Sequence, residues 1–149
     1  MKVPPSARDA RVFAARMHAL ARAQAFVDAF ARAHGVGDDD ALRLQLVVEE
    51  LFSNTVQHGY GRECDEPIEI ALEARDGEVT LLYRDAARAY DPLSALGASR
   101  NAMRASVDRR PIGGLGVPLV AGVAEDIDYA FRDGRNCLRV TLRRQPPAE

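Results

Sequence analysis

Residues 67–85 read PIEIALEARDGEVTLLYRD. Apolar side chains alternate with polar ones on both sides of Asp76-Gly77, a dipeptide suited to tight hairpin turns. The spacing predicts two antiparallel strands over residues 67–74 and 78–84. A second pair is expected at about 125–132 and 136–143, split by Asp133-Gly134.

Upstream the period changes. In HALARAQAFVDAFARAH, residues 18–34, Leu20, Phe26, Val27 and Phe30 fall near helical spacing, with Gly35 and Gly37 as stops. ARVFAAR just before it either extends that helix or forms a short edge strand, and the strand is preferred. Asp38 to Asp40 offer an N-cap and favourable charge to a second helix, from about residue 39 to about 59, closed by Gly59 and Gly61. Helices grouped before a mainly antiparallel sheet define an α+β two-layer sandwich. At 149 residues the chain is read as one domain, without repeats or linkers.

From Asp85 to Pro111 the pattern dissolves into alanine, arginine and serine, a long connection of the functional kind, read as a lid over about 86–112. GGLGVPLVAGVA then starts a short apolar helix, with Pro118 acceptable in its first turn.

Composition narrows the chemistry. The formal net charge of −2 provides no global basic field, so direct nucleic-acid binding is not expected. Of the 20 basic residues only Lys2 is lysine, so phosphate would be held by backbone amides, arginine or a metal. Cys64 and Cys137 are too few for a zinc site or a disulfide framework. With neither a signal-peptide core nor an apolar run of about 18 residues, the expectation is a cytoplasmic protein without a membrane anchor.

Three segments carry candidate chemistry. On the second helix Leu44, Val48, Leu51 and Thr55 form a core-facing stripe, with Glu50 and Asn54 together at its rim. Glu49 points about a quarter turn away. A carboxylate beside an apolar wall suits proton acceptance, although an isolated ExxxN is also common on ordinary helix surfaces. His58 is read as a hydrogen-bonding residue near the helix end. Asp85, leaving the second hairpin strand, either accepts a hydrogen bond from a ligand amine or simply forms a turn. Gly113, Gly114 and Gly116 free backbone amides just ahead of a helix, where an anion is favoured.

In this order, EELFSNTVQHGY, RDAARAYDP and GGLGVPLV resemble the N box and the two glycine boxes of the ATP-binding domain shared by histidine kinases, gyrase, heat-shock protein 90 and MutL. The similarity is closest to its stand-alone bacterial branch, the anti-sigma factor serine/threonine kinases, and covers about residues 10–143. The resemblance implies a Bergerat-type ATP-binding fold that uses ATP and Mg2+. It implies Glu50 as the base for the attacking hydroxyl and Asn54 as the magnesium ligand. Asp85 would receive the adenine amino group, and Gly113, Gly114 and Gly116 the phosphates, with Arg109 or Arg110 as added counter-charge.

The implied function is that of a partner-switching kinase. It would phosphorylate a small anti-sigma-factor antagonist protein, sequester a sigma factor or sigma-like regulator, and form a homodimer through the apolar face of the first helix. Two positions depart from the pattern. Ala87 stands where the first box has glycine, so a methyl group would narrow the adenine pocket or restrict the backbone. Arg135-Asn136 replaces Gly-Thr and removes a threonine contact to adenine. A non-catalytic binding module of the same fold is the alternative reading. A severed histidine-kinase domain fits less well, since no dimerising hairpin with a phosphoacceptor histidine is evident.

Overall fold

The computed structural model describes residues 7–89 and 126–143. Strand β1 (Ala7–Ala14) leads through a 3₁₀ turn at Met17–Ala19 into helix α1 (Leu20–Ala33), and then to α2 (Asp38–Asn54). A five-residue π-helical turn, Thr55–Gly59, extends α2 and precedes β2 (Pro67–Arg75) and β3 (Glu78–Asp85). Strands β4 (Asp126–Arg132) and β5 (Arg135–Arg143) complete one sheet in the order β1-β2-β3-β5-β4, antiparallel throughout. Strands and helices together form the expected α+β fold.

The ambiguous ARVFAAR segment is an edge strand, with Phe13 opposite Ile68. Phe13 turns inward and meets Phe26 of α1 with ring centroids 6.3 Å apart. Its placement shows why strand wins over helix: alternation sends Phe13 into the core while Val12 faces out at 63% exposure.

The hairpins fall where the turn dipeptides predict. Arg75 pairs with Glu78 across Asp76-Gly77, and Arg132 pairs with Arg135 across Asp133-Gly134. In the second turn both central residues lie in the left-handed region, with φ of 54° and 74°, as a type I′ hairpin turn requires.

One sheet face supplies Ile68, Ile70, Leu72, Val79, Leu81, Val140 and Leu142 to the core. Against it pack Val27 and Phe30 of α1 and Leu44, Val47, Val48 and Phe52 of α2. The two helices also pack on each other, and Ala23 and Ala31 of α1 and Ala41 of α2 are buried.

Helix α2 departs from expectation at both ends. Its N-cap is Gly37, in extended conformation and without a side-chain capping bond, and Ala41 N–H donates to the Gly37 carbonyl at 2.9 Å. Asp38, Asp39 and Asp40 sit inside the first turn, where they contribute charge against the helix dipole instead of a cap. At the other end regular α geometry stops at Asn54, and Tyr60 N–H reaches back five residues to the Thr55 carbonyl at 2.7 Å. The extra residue shifts the last turn relative to the stripe. Such insertions concentrate at functional sites.

The predicted lid lies mostly outside the described residues, apart from its first four, 86–89. The helix read from GGLGVPLVAGVA also lies outside them. Among the described residues no helix is long and apolar enough to cross a membrane.

Phe52 is fully buried between the helices and the sheet. Phe52→Ala should lower unfolding free energy by about 3–5 kcal/mol, the range for a large core deletion. Urea denaturation checks it, and an unchanged midpoint would place Phe52 outside the core.

Candidate functional site

Asp85 ends β3 with its carboxylate on the core side, at 8% exposure. A buried carboxylate is stable only when its oxygens are hydrogen-bonded. Thr55 Oγ1 donates to Oδ2 at 3.0 Å, Asn136 Nδ2 donates to Oδ1 at 2.8 Å, and Ala87 N–H donates to Oδ1 at 3.1 Å. Three segments therefore meet on this one group: the π turn after α2, the chain leaving β3, and β5.

Each donor arrives for a local reason. Thr55 is the first residue of the π turn and continues the buried stripe of α2. Asn136 stands directly opposite Asp85 in the β3–β5 register. Tyr83, two residues before Asp85 and so on the same face, sends its hydroxyl to the Leu51 carbonyl at 3.1 Å and lies 2.7 Å from Thr55 Oγ1. With the threonine proton committed to Asp85, the tyrosine proton is shared between Leu51 and Thr55.

Asn136 does more than meet Asp85. Its Nδ2 also donates to the carbonyls of Arg88, at 3.0 Å, and Ala87, at 3.2 Å, while Tyr129 donates its hydroxyl proton to Oδ1. Tyr60 holds the same stretch from the opposite side. Its hydroxyl accepts from Ala86 N–H at 2.8 Å and donates to the Pro67 carbonyl at 2.8 Å.

Thr55, Tyr83, Asp85, Tyr129 and Asn136 line a cavity of about 50 Å³, with Leu51, Asn54, Gly59 and Leu138 as its other walls. Complete ligand pockets measure about 300–1,000 Å³, so the described walls form only the inner end of such a site. A larger groove of about 630 Å³ runs between β1 and α1, past Arg11, Arg22, Phe26 and Phe30. It does not contain the convergent, buried polar groups that mark the smaller cavity.

Glu50 and Asn54 are brought together as the helical spacing predicts. Asn54 Nδ2 donates to Glu50 Oε1 at 3.0 Å, both residues are half-buried, and Glu49 is exposed. Asn54 lines the cavity beside Thr55 and Asp85. His58 is exposed on the π turn. Gly113, Gly114, Gly116, Arg109 and Arg110 lie outside the described residues.

Ala87 is buried at 4% exposure. Its backbone is not in the left-handed region, where among the described non-glycine residues only Asp133 is found. Its methyl faces Gly59: a Cβ built on that glycine would come within 3.2 Å of the Ala87 Cβ. The space that glycine would leave open at 87 is thus matched by a missing side chain at 59.

Thr55 was legible only as a core position, and Tyr83 was not singled out. Their polar role had a signal in the stripe and alternation that place them next to Asn54 and Asp85. Asn136 registered as a departure, and no local pattern indicates its bonds to residues 85–88, which come from strand register. Among the described residues no cluster of three His, Cys, Asp or Glu side chains could hold a metal.

The fold and this constellation place the chain in a known class. Residues 13–142 match the family model of the histidine kinase-like ATPase domain, and the chain belongs to that family. It is 31% identical over 103 residues to the serine/threonine-protein kinase BtrW of Bordetella bronchiseptica, covering 69% of this chain and 70% of that protein. Two solved structures share the fold. One is the RsbU and RsbW domains of Rv1364c from Mycobacterium tuberculosis, with TM-score 0.66 and 16% identity, covering 95% of this chain. This chain spans 34% of the length of that one. The other is the SiaB-SiaC complex from Pseudomonas aeruginosa, with TM-score 0.67 and 13% identity, covering 90% of this chain and 88% of the matched chain.

Two outcomes check the site geometry. Gly59→Ala and Ala87→Gly should show favourable coupling in a double-mutant thermal-unfolding cycle, by roughly 0.5–3 kcal/mol as expected of touching residues. Strict additivity would mean that the two positions are not in contact. The second outcome concerns alkali. Burial pushes the Tyr60 phenol up to about 12, the Asp85 and Glu66 carboxylates add to the rise, and the Ala86 N–H opposes it. Burial likewise raises Tyr83 well above its ordinary value. The folded state then retains protons that the unfolded chain releases above about pH 10. Stability should fall as pH rises from about 10 towards 12, and Tyr60→Phe should make that fall shallower in pH-dependent denaturation. An equally steep profile would remove Tyr60 from the account.

Proposed function

We propose that this chain binds Mg-ATP and transfers the γ-phosphoryl group to a serine or threonine of a small anti-sigma-factor antagonist protein. In its other state it sequesters a sigma factor or similar regulator. The observation that carries the proposal is the convergence on one cavity wall of Asp85, a buried carboxylate, and Asn54, which is bonded to Glu50. Family membership supports nucleotide binding. The kinase name of the Bordetella relative supports protein phosphorylation, and the SiaB-SiaC and RsbU-RsbW structures support a partner-switching setting.

The residues fit the groups assigned to them. Bonded to Glu50 through its nitrogen, Asn54 keeps its carbonyl oxygen for a metal, and one protein oxygen is enough for magnesium, which retains water and phosphate ligands. Magnesium, when bound, offsets charge on the phosphate oxygens. Asp85 receives the exocyclic amino group of the base, next to Ala87 and Thr55. Glu50 takes the proton of the incoming hydroxyl as that oxygen bonds to the γ-phosphorus, and the bond to the bridging oxygen breaks to leave ADP. Gly113, Gly114 and Gly116 are proposed as amide donors to the phosphates. The apolar face of α1, expected to join two copies, is buried in the core through Phe26, Val27 and Phe30, so the surface proposed for the homodimer is instead the exposed edge of β1 with the groove beside it.

Incubation with labelled ATP, magnesium and the antagonist partner tests the kinase reading. Label should appear on the antagonist, and partner binding without transfer would favour the non-catalytic module instead. Glu50→Ala should keep nucleotide binding and lose transfer by about 10²-fold or more, as for removal of a general base. Asn54→Ala should lose both metal-dependent binding and transfer. Parental transfer in Glu50→Ala would overturn the base assignment.

A further inference from the structure

Asn136 has no part in the mechanism above, yet its side chain bonds to Asp85, Ala87, Arg88 and Tyr129. It is 8% exposed and its carboxamide is committed at both ends. Two hydrogens on Nδ2 serve three acceptors, Asp85 Oδ1, Arg88 O and Ala87 O, between 2.8 and 3.2 Å. Tyr129 fixes the other end through Oδ1. A hydroxyl at this position would have one hydrogen to offer these acceptors instead of two.

The consequence falls on Asp85. An ionised carboxylate has about four lone-pair sites. Asn136 and Ala87 N–H take the two on Oδ1, and Thr55 takes one on Oδ2. Counting donors from the described residues, one acceptor site remains, on Oδ2.

We infer that Asn136 is a positioning residue for base recognition: it saturates Asp85 Oδ1 and ties down residues 87 and 88, leaving Oδ2 to receive an exocyclic amino group. This rests on the nucleotide reading above and adds a residue to it. The carboxylate is preorganised, since its rotamer is set before any ligand arrives, and affinity gains from order already in place. The same amide fastens the root of the chain leaving β3, so base recognition and the position of that root are linked through one side chain.

Three variants test the inference, with Mg-ATP titrated calorimetrically and amide exchange measured in the nucleotide-free protein. Asn136→Ala should weaken Mg-ATP binding by about tenfold, in keeping with loss of hydrogen bonds to a charged group. Asn136→Asp keeps shape and size but sets a carboxylate against Asp85, so it should bind more weakly still. Parental binding in Asn136→Asp overturns the proposal. Tyr129→Phe leaves both donors in place and should give a smaller loss, which keeps the test open if an Asn136 variant fails to fold. Parental binding in Tyr129→Phe and in every folded Asn136 variant equally overturns the proposal. Exchange at the Ala87 amide should accelerate in both Asn136 variants, while Leu72 and Leu81 in the sheet keep parental protection. If the parent itself binds no Mg-ATP, the nucleotide reading fails, and exchange then decides the clamp: parental protection at Ala87 overturns it.

Discussion

A buried carboxylate organises this protein. Asp85 sits at the end of a central strand, out of water, and must be supplied with donors by whatever packs around it. Leaving such a group unsatisfied would cost about 1–3 kcal/mol or more, comparable to a large part of a domain's net stability. The π turn, the β3–β5 register and the path of residues 86–88 all deliver a donor to it. The hydrophobic sandwich supports these positions and the carboxylate fixes what they contain.

The distortion at the end of α2 lies beside the same carboxylate. A regular helix through Gly59 would continue the stripe, whereas the π turn shifts the last residues as Thr55 donates to Asp85 and Gly59 meets Ala87. The alanine in the first glycine box is therefore only half of a local arrangement. Its methyl rests where residue 59 has no side chain, and its backbone needs no conformation reserved for glycine.

Much of the fold was legible because its signals are local. Alternation around Asp76-Gly77 and Asp133-Gly134 specifies four strands, and the stripe of Leu44, Val48, Leu51 and Thr55 specifies which face of α2 is buried. The same spacing separates Glu50 from Glu49 and joins it to Asn54. What was not legible depends on residues far apart in the chain. Nothing near Asn136 announces that it faces Asp85, 51 residues away, and nothing near Tyr60 announces its bond to Ala86. The N-cap of α2 was misplaced for a different reason, because three consecutive aspartates suit both a cap and a first turn.

Among the described residues, the small polar cavity at Asp85 and the larger groove along β1 and α1 both present themselves as ligand sites. The account places the nucleotide base at the first. Amide chemical shifts recorded while magnesium and a non-hydrolysable ATP analogue are titrated into labelled protein test this most directly. The account predicts that the largest changes fall on the side-chain amide of Asn136, the Ala87 amide and Thr55. Changes concentrated at Arg11, Val12 and Ala29, with the Asp85 surroundings unmoved, would contradict it.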